Sequence, residues 1–200
     1  MIDAGIGRLL VASLHQGIAE VAPTRLEFYE NWLSPEDMRN GRLGLAPLGA
    51  VLSFLRREGP ETYEAIMTRA GTCAADWTQA GRSELERGLV DRLPTALRAR
   101  AALRRARHLV RETFQPSRPQ VRYRKGTGTV ELGESIFCGG REPMSAPTCV
   151  YYAAAVGRLL THFDVDAAVA IEECRGAGGP ACRLAVSVLG ARPAGEPAAA

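Results

Sequence analysis

Lysine is almost missing from this chain: Lys125 is the one lysine among 25 basic residues. With abundant Ala, Gly and Pro, that scarcity reads as the codon bias of a GC-rich bacterium and carries no function. Histidine is scarce as well: His15 and His162 show no partner at catalytic spacing, and His108, away from the apolar face of its helix, reads as a surface residue. No segment is apolar enough, for long enough, to span a bilayer. Met1 to Arg8 lacks a basic stretch followed by an apolar run and a cleavage site, so no signal peptide is read. The expected compartment is therefore the reducing cytoplasm, where disulfides are rare. Nor is there a phosphate-binding glycine loop, because the Gly-rich turn 176–179 falls between two predicted strands and not before a helix. No Ser-His-Asp or Cys-His arrangement and no nicotinamide or flavin motif stands out. The net charge of +3 does not by itself suggest a nucleic-acid binder. These absences turn the expectation from an enzyme toward a binding module.

About half of the chain is apolar and a quarter charged, ordinary proportions for a globular protein with a real core. Its 200 residues suit one large domain. Helical spacing of apolar residues marks 5–20, 47–57 and 61–80, and Pro94 opens a longer helix ending near Phe114. On the 61–80 helix, Tyr63, Ile66, Met67, Ala70, Ala74 and Trp77 are expected on one inward face. Arg25 to Leu33 is short and aromatic, with near-alternation of Leu26, Phe28 and Trp32, and predicts a strand. Ser34-Pro35-Glu36-Asp37 and Ser83 are helix starts. After Pro116 and Pro119 the pattern changes. Val121 to Arg124, Lys125-Gly126-Thr127-Gly128 and Thr129 to Phe137 predict a β-hairpin. A helix over 147–163 follows, then strands Ala167 to Cys174 and Ala181 to Leu189. Successive hairpins favour antiparallel pairing, so the fold class is α+β: two hairpins in one sheet packed against several helices. The domain is expected over 1–190, with 191–200 a disordered tail of Ala, Pro and Gly. The surplus of apolar helix faces predicts a ligand cavity near Leu52, Ile66, Met67 and Trp77.

Five cysteines in a reducing compartment need an explanation other than disulfides. Cys149 faces inward from the start of the 147–163 helix. Period-2 alternation puts Glu172 and Cys174 on one strand face, and Cys174 and Cys182 flank the same turn. Three thiols and a carboxylate converging on one loop would suit Zn²⁺. Burial as small hydrophobes is the competing reading, since free cysteine is among the most buried residue types. Cys73 is assigned to the core. Cys138, in a Cys-Gly-Gly loop with only Arg141 as a basic neighbour, is left outside the set. Arg100, Arg104, Arg107 and Arg111 form a stripe opposite Ala99, Ala102, Leu103, Ala106 and Val110. No aromatics interleave with it, so it reads as a solvated helix face.

Three stretches carry a family likeness: Glu134-Ser135-Ile136-Phe137-Cys138; Pro147-Thr148-Cys149 running on to Leu160; and Glu172-Glu173-Cys174-Arg175-Gly176-Ala177-Gly178-Gly179-Pro180-Ala181-Cys182. Together, over roughly residues 130–188, they resemble the 4-vinyl-reductase domain family: a Ser-x-Phe strand end, a Cys opening a helix, Glu-x-x-Cys, a Gly-rich turn and a second Cys. That family includes bacteriochlorophyll 4-vinyl reductases and the sensor domains of phenol-responsive activators, and TRAPP subunits share its fold. The resemblance implies a hydrophobic ligand cavity, frequent dimers, and a zinc site whose ligands map onto Cys149, Glu172, Cys174 and Cys182. One departure stands out: Ile171 occupies the family's usual Glu position, with Glu172 one residue nearer the cysteine. Phenol sensors also pair a histidine with a tryptophan in the following hairpin, and no tryptophan follows Trp77 here. The leading expectation is a non-catalytic binding module for a small hydrophobic or tetrapyrrole-like ligand, stabilised by zinc and dimeric in the manner of the family it resembles. A bacteriochlorophyll-synthesis factor and a dimeric TRAPP-like scaffold are the alternatives.

Overall fold

A computed structural model of the chain describes residues 5–30, 32–33, 44–80, 88, 90, 92–139 and 144–191. Among these residues lie six α-helices and one four-stranded antiparallel sheet. Helices α1 (Arg8–Val21), α2 (Leu26–Glu30), α3 (Leu45–Arg57), α4 (Pro60–Ala80) and α5 (Thr95–Thr113) come first. Hairpin β1 (Gln120–Arg124) and β2 (Thr127–Leu132), helix α6 (Val150–His162), and strands β3 (Val165–Glu173) and β4 (Cys182–Ala191) complete the order. The α+β class and both expected hairpins are present.

The hairpins join through β2 and β4, giving the spatial order β1-β2-β4-β3 with every pair antiparallel. Lys125 and Gly126, both at positive φ, close the first hairpin as a two-residue turn of the kind that matches strand twist. Alternation then sorts each strand. Gly128, Val130 and Leu132 of β2, with Cys182, Leu184 and Val186 of β4, are buried on the helix-covered face. Their odd-numbered neighbours lie on the opposite face.

Helix α6 is the central element, packed between α4, α5 and the sheet. Tyr151 and Tyr152 at its start are fully buried. Each hydroxyl finds a partner, Ser13 Oγ at 2.9 Å and Thr113 Oγ1 at 3.3 Å respectively, so no polar atom of either ring is stranded. Helices α4 and α6 cross so closely that a Cβ on Gly71 would sit 2.2 Å from the Tyr151 carbonyl oxygen. Only glycine allows that approach.

Arg25 to Leu33 corrects the expectation of a strand. Its chain forms a 3₁₀ turn at Pro23–Arg25 and then α2. The inward residues are Tyr29 and Leu33, with Leu26 half-buried, a spacing of three and four, while Phe28 and Trp32 are exposed. Helical period beats period 2 here, and no neighbouring strand pairs with the segment among the described residues. Trp77 also departs from expectation: it is 43% exposed at the end of α4, while Ile66 and Met67 are fully buried. Beyond Ala75 the inward path of that helix drifts off the tryptophan's side. The helix start at Ser34, that at Ser83, and the tail beyond Ala191 lie outside the described residues.

Candidate metal centre

Four cysteine sulfurs meet at the end of the sheet where β2, α6 and the β3–β4 turn converge. The sulfurs of Cys138, Cys149, Cys174 and Cys182 all lie within 4.8 Å of one another. Cys138 Sγ is 3.3 Å from Cys149 Sγ, 3.3 Å from Cys182 Sγ and 3.7 Å from Cys174 Sγ. Cys174 and Cys149 are 3.7 Å apart. Bonded sulfurs would be about 2.05 Å apart. Four sulfurs at about 2.3 Å from one tetrahedral ion would be about 3.8 Å apart. The observed spacings lie close to the second value and far from the first.

Each cysteine arrives by a different local device. Cys149 is the N-cap residue of α6 and buried. Strand β2 stops at Leu132, and a 3₁₀ turn over Ile136–Cys138 swings the Cys138 sulfur under the helix start. Cys174 follows β3 and heads the 3₁₀ turn Arg175–Ala177, and Cys182 opens β4. The Gly-rich loop wraps tightly around the pair. A Cβ on Gly176 would lie 2.1 Å from Thr148 Oγ1, and Gly178 takes the left-handed conformation at φ 85°.

Backbone amides face the sulfurs, as they do around ligating thiolates. The Thr148 amide donates to Cys174 Sγ at 3.3 Å and the Arg175 amide to Cys182 Sγ at 3.5 Å. Helices α3 and α4 brace the same loops. Tyr63 donates its hydroxyl to the Thr148 carbonyl at 3.0 Å, and Arg56 donates to the Phe137 carbonyl at 2.7 Å. The mutual contacts split the thiols. Hydrogen bonding from Cys149 holds Cys138 down at about 6, and contacts led by Cys138 pull Cys174 down too. Contacts led by Cys138 push Cys149 and Cys182 up. Neighbouring sulfurs cannot all ionise together without a cation. A dication lifts that restriction and takes all four as thiolates.

Three of the four ligands expected from the sequence, Cys149, Cys174 and Cys182, are thus together. The fourth place belongs to Cys138, and Glu172 is not in the group. The pairing register shifts between Ile171 and Glu173. A strict alternation would put Glu172 and Cys174 on one face; across the irregularity Glu172 stays exposed while Cys174 turns inward. Ile171, one residue before Glu172, is half-buried against the core. The sequence puts Cys138 outside the set, in a Cys-Gly-Gly loop beyond a strand running to Phe137; β2 instead ends at Leu132, and the turn that follows brings the sulfur in. Counting thiols before assigning a carboxylate would have found it: four of the five cysteines fall between 138 and 182. Cys73 lies apart in the core, where burial raises its thiol.

The expected cavity residues do not line one space. Leu52 borders a hollow beside Cys138, Ile66 and Met67 are in the solid core, and Trp77 is exposed. An apolar cleft lies elsewhere, between α4, α6 and β3. Its volume is about 560 Å³, and Tyr63, Val150, Ala153, Gly157, Val169 and Ile171 line it. No helix among the described residues is long and apolar enough to cross a membrane. A scan against protein-family models returns no match for the chain, and a search of curated proteins returns none either.

Proposed function

We propose that this chain is a non-catalytic binding domain of the 4-vinyl-reductase type, fastened by a structural zinc ion. The observation that carries the reading is the meeting of four cysteine sulfurs within 4.8 Å. Soft donors alone, in a number that fills a tetrahedral shell, suit Zn²⁺. With Cys138, Cys149, Cys174 and Cys182 all engaged, no coordination position is left for substrate or water, so the ion's part is to hold loops together. The cleft between α4, α6 and β3 offers an apolar, concave lining of a size suited to a small hydrophobic ligand or one edge of a tetrapyrrole. A TRAPP-like topology, cytoplasmic residence and homodimerisation belong to the same reading, and the α+β arrangement with one helix-covered sheet face supports it. A bacteriochlorophyll-synthesis factor would use the same cleft.

The test is metal content by elemental analysis of protein purified under reducing conditions without chelator. One equivalent of zinc is expected. Cys138→Ser should lower both zinc content and melting temperature, while Glu172→Gln should leave zinc at one equivalent. Metal-free protein of full stability, or loss of zinc in Glu172→Gln with retention in Cys138→Ser, would refute the reading. Native mass spectrometry of the same preparation reports retained ligand and oligomeric state.

A further inference from the structure

Eight of the described arginines have polar partners, and others, Arg122 and Arg124 among them, are exposed with no side-chain partner among the described residues. Arg25, Arg69, Arg98, Arg158 and Arg183 pair with carboxylates of Glu58, Glu20, Asp164, Asp76 and Glu173. Arg56, Arg105 and Arg175 donate to backbone carbonyls. Arg104, Arg107 and Arg111 on α5, and Arg118 in the loop that leads to β1, do neither; all four are exposed, and no acidic partner faces them among the described residues. They surround two adjoining hollows of about 690 and 660 Å³, which share Arg107, Arg111 and Gln115 as a common wall. One carboxylate, Glu112, lines the first hollow only and lies 3.4 Å from His108 Nδ1.

A solvated helix face accounts for a stripe of arginines but not for the rest of this groove. The stripe continues off the helix onto Arg118, so it is not a product of helical period alone. Favourable interaction with the helix C-terminus accounts for Arg111, in the last turn, but not for Arg104, Arg107 or Arg118. The floor also holds an anomaly. Ser117 is 1% exposed, lines the groove, and its hydroxyl has no hydrogen-bond partner among the described residues. A buried hydroxyl without a partner is costly unless something else engages it. Three guanidiniums, those of Arg107, Arg111 and Arg118, line the hollow that holds this hydroxyl, and no carboxylate lines it, in a chain whose whole net charge is only +3.

We infer that the groove between the end of α5 and the start of β1 binds a multiply charged phosphate group, with Arg107, Arg111 and Arg118 as its cationic clamp and Ser117 as a hydroxyl donor. The planar guanidinium fork matches phosphate oxygens two at a time, which a lone ammonium does not. The site is separate from the thiol cluster and from the apolar cleft, and it stands whether or not either of those holds a ligand.

Inorganic pyrophosphate is the probe for a free ligand, and vesicles containing phosphatidic acid are the probe for a lipid headgroup. Calorimetric titration of the full chain with pyrophosphate should give saturable one-to-one binding. Arg107→Gln combined with Arg111→Gln should weaken it by at least about tenfold, as should Arg118→Gln to a smaller degree. Arg122→Gln, exposed on β1 and outside the groove, should leave it within about twofold. Pyrophosphate binding without vesicle co-sedimentation identifies a soluble phosphate ligand; vesicle binding abolished by the double variant identifies a headgroup. Saturable binding of neither probe overturns the inference. So does equal weakening by Arg122→Gln, which would mean diffuse charge, and so does binding of a duplex oligonucleotide alone, which would make this a nucleic-acid surface.

Discussion

The start of α6 is held by two kinds of physics. On the side that meets α4 and α5, stability comes from close approach and area: Gly71 against the Tyr151 backbone, buried rings, and hydroxyls answered by Ser13 and Thr113. On the side that meets the loops at the end of the sheet, it comes from four sulfurs gathering segments with little apolar surface of their own: the 3₁₀ turn at Ile136–Cys138, the approach to Cys149 and the Gly-rich loop after Cys174. Packing is tolerant in composition and strict in volume. Ligation is strict in composition and nearly indifferent to volume. A helix start that needs both is anchored on one side by shape and on the other by chemistry.

That contrast can be broken in order of effect. Removing the metal with a chelator under reducing conditions, or replacing Cys149 by Ser, should cost the most. Binding free energy of a structural site is folding free energy, so a fall in melting temperature of more than about 10 °C is expected. Calorimetry alongside elemental analysis would show it, and an unchanged transition in metal-free protein would dissolve the distinction between the two anchors. Gly71→Ala comes next. The new methyl carbon meets the Tyr151 carbonyl, and urea denaturation should report a loss of about 3 kcal/mol with the zinc content unaltered. Zinc lost along with that stability would mean the anchors are coupled.

The smallest effect lies toward the other end of α6 and is separated from the thiol cluster by pH. Burial alone would raise the Asp76 carboxyl, but hydrogen bonds from Arg158 and His162, both at 2.6 Å, outweigh it and hold the group below its ordinary value. A lowered folded-state value means a contribution fully present above the unfolded value of about 4 and lost as pH falls through the folded one. Asp76→Asn should therefore cost about 0.5–1 kcal/mol at pH 7, modest because the pair is partly solvated, and nothing near pH 2. The thiol cluster should release zinc at a higher pH than that, because protons compete with the ion for thiolate. Zinc release and the Asp76 contribution titrating together would contradict two independent anchors.

Periodicity made most of the framework legible. The long amphipathic helices, both hairpins and their antiparallel order followed from apolar spacing and the Lys125-Gly126 turn, because each reflects local sequence. The short aromatic stretch at Arg25 to Leu33 failed, since five residues of helix give too little length for period 3.6 to outvote period 2. The site was three-quarters legible. Cys149, Cys174 and Cys182 were placed by face, but alternation could not anticipate the irregularity beside Glu172 or the early end of β2 that brings in Cys138. Both are departures from regular structure, and no periodic rule encodes them. The arginine groove was half visible: its stripe on α5 was read from the sequence, while Arg118 and Ser117 join it only through the turn of the chain after Phe114.

The strand order has a kinetic consequence. β1 pairs with β2 and β3 with β4 across short connections, so each hairpin can close early. The seam between them, Thr127 against Ser187 through Leu132 against Cys182, joins segments that the whole of α6 separates. It must wait for that intervening helix to find its place, because distant pairings bear the entropy of a long loop before any contact rewards them. Until then β2 and β4 each present an open edge carrying Val130, Leu184 and Val186, side chains that belong in the interior. During synthesis the exposed interval lasts until β4 has emerged, and a nascent chain interrupted before Cys182 would be a ready template for pairing with its neighbours.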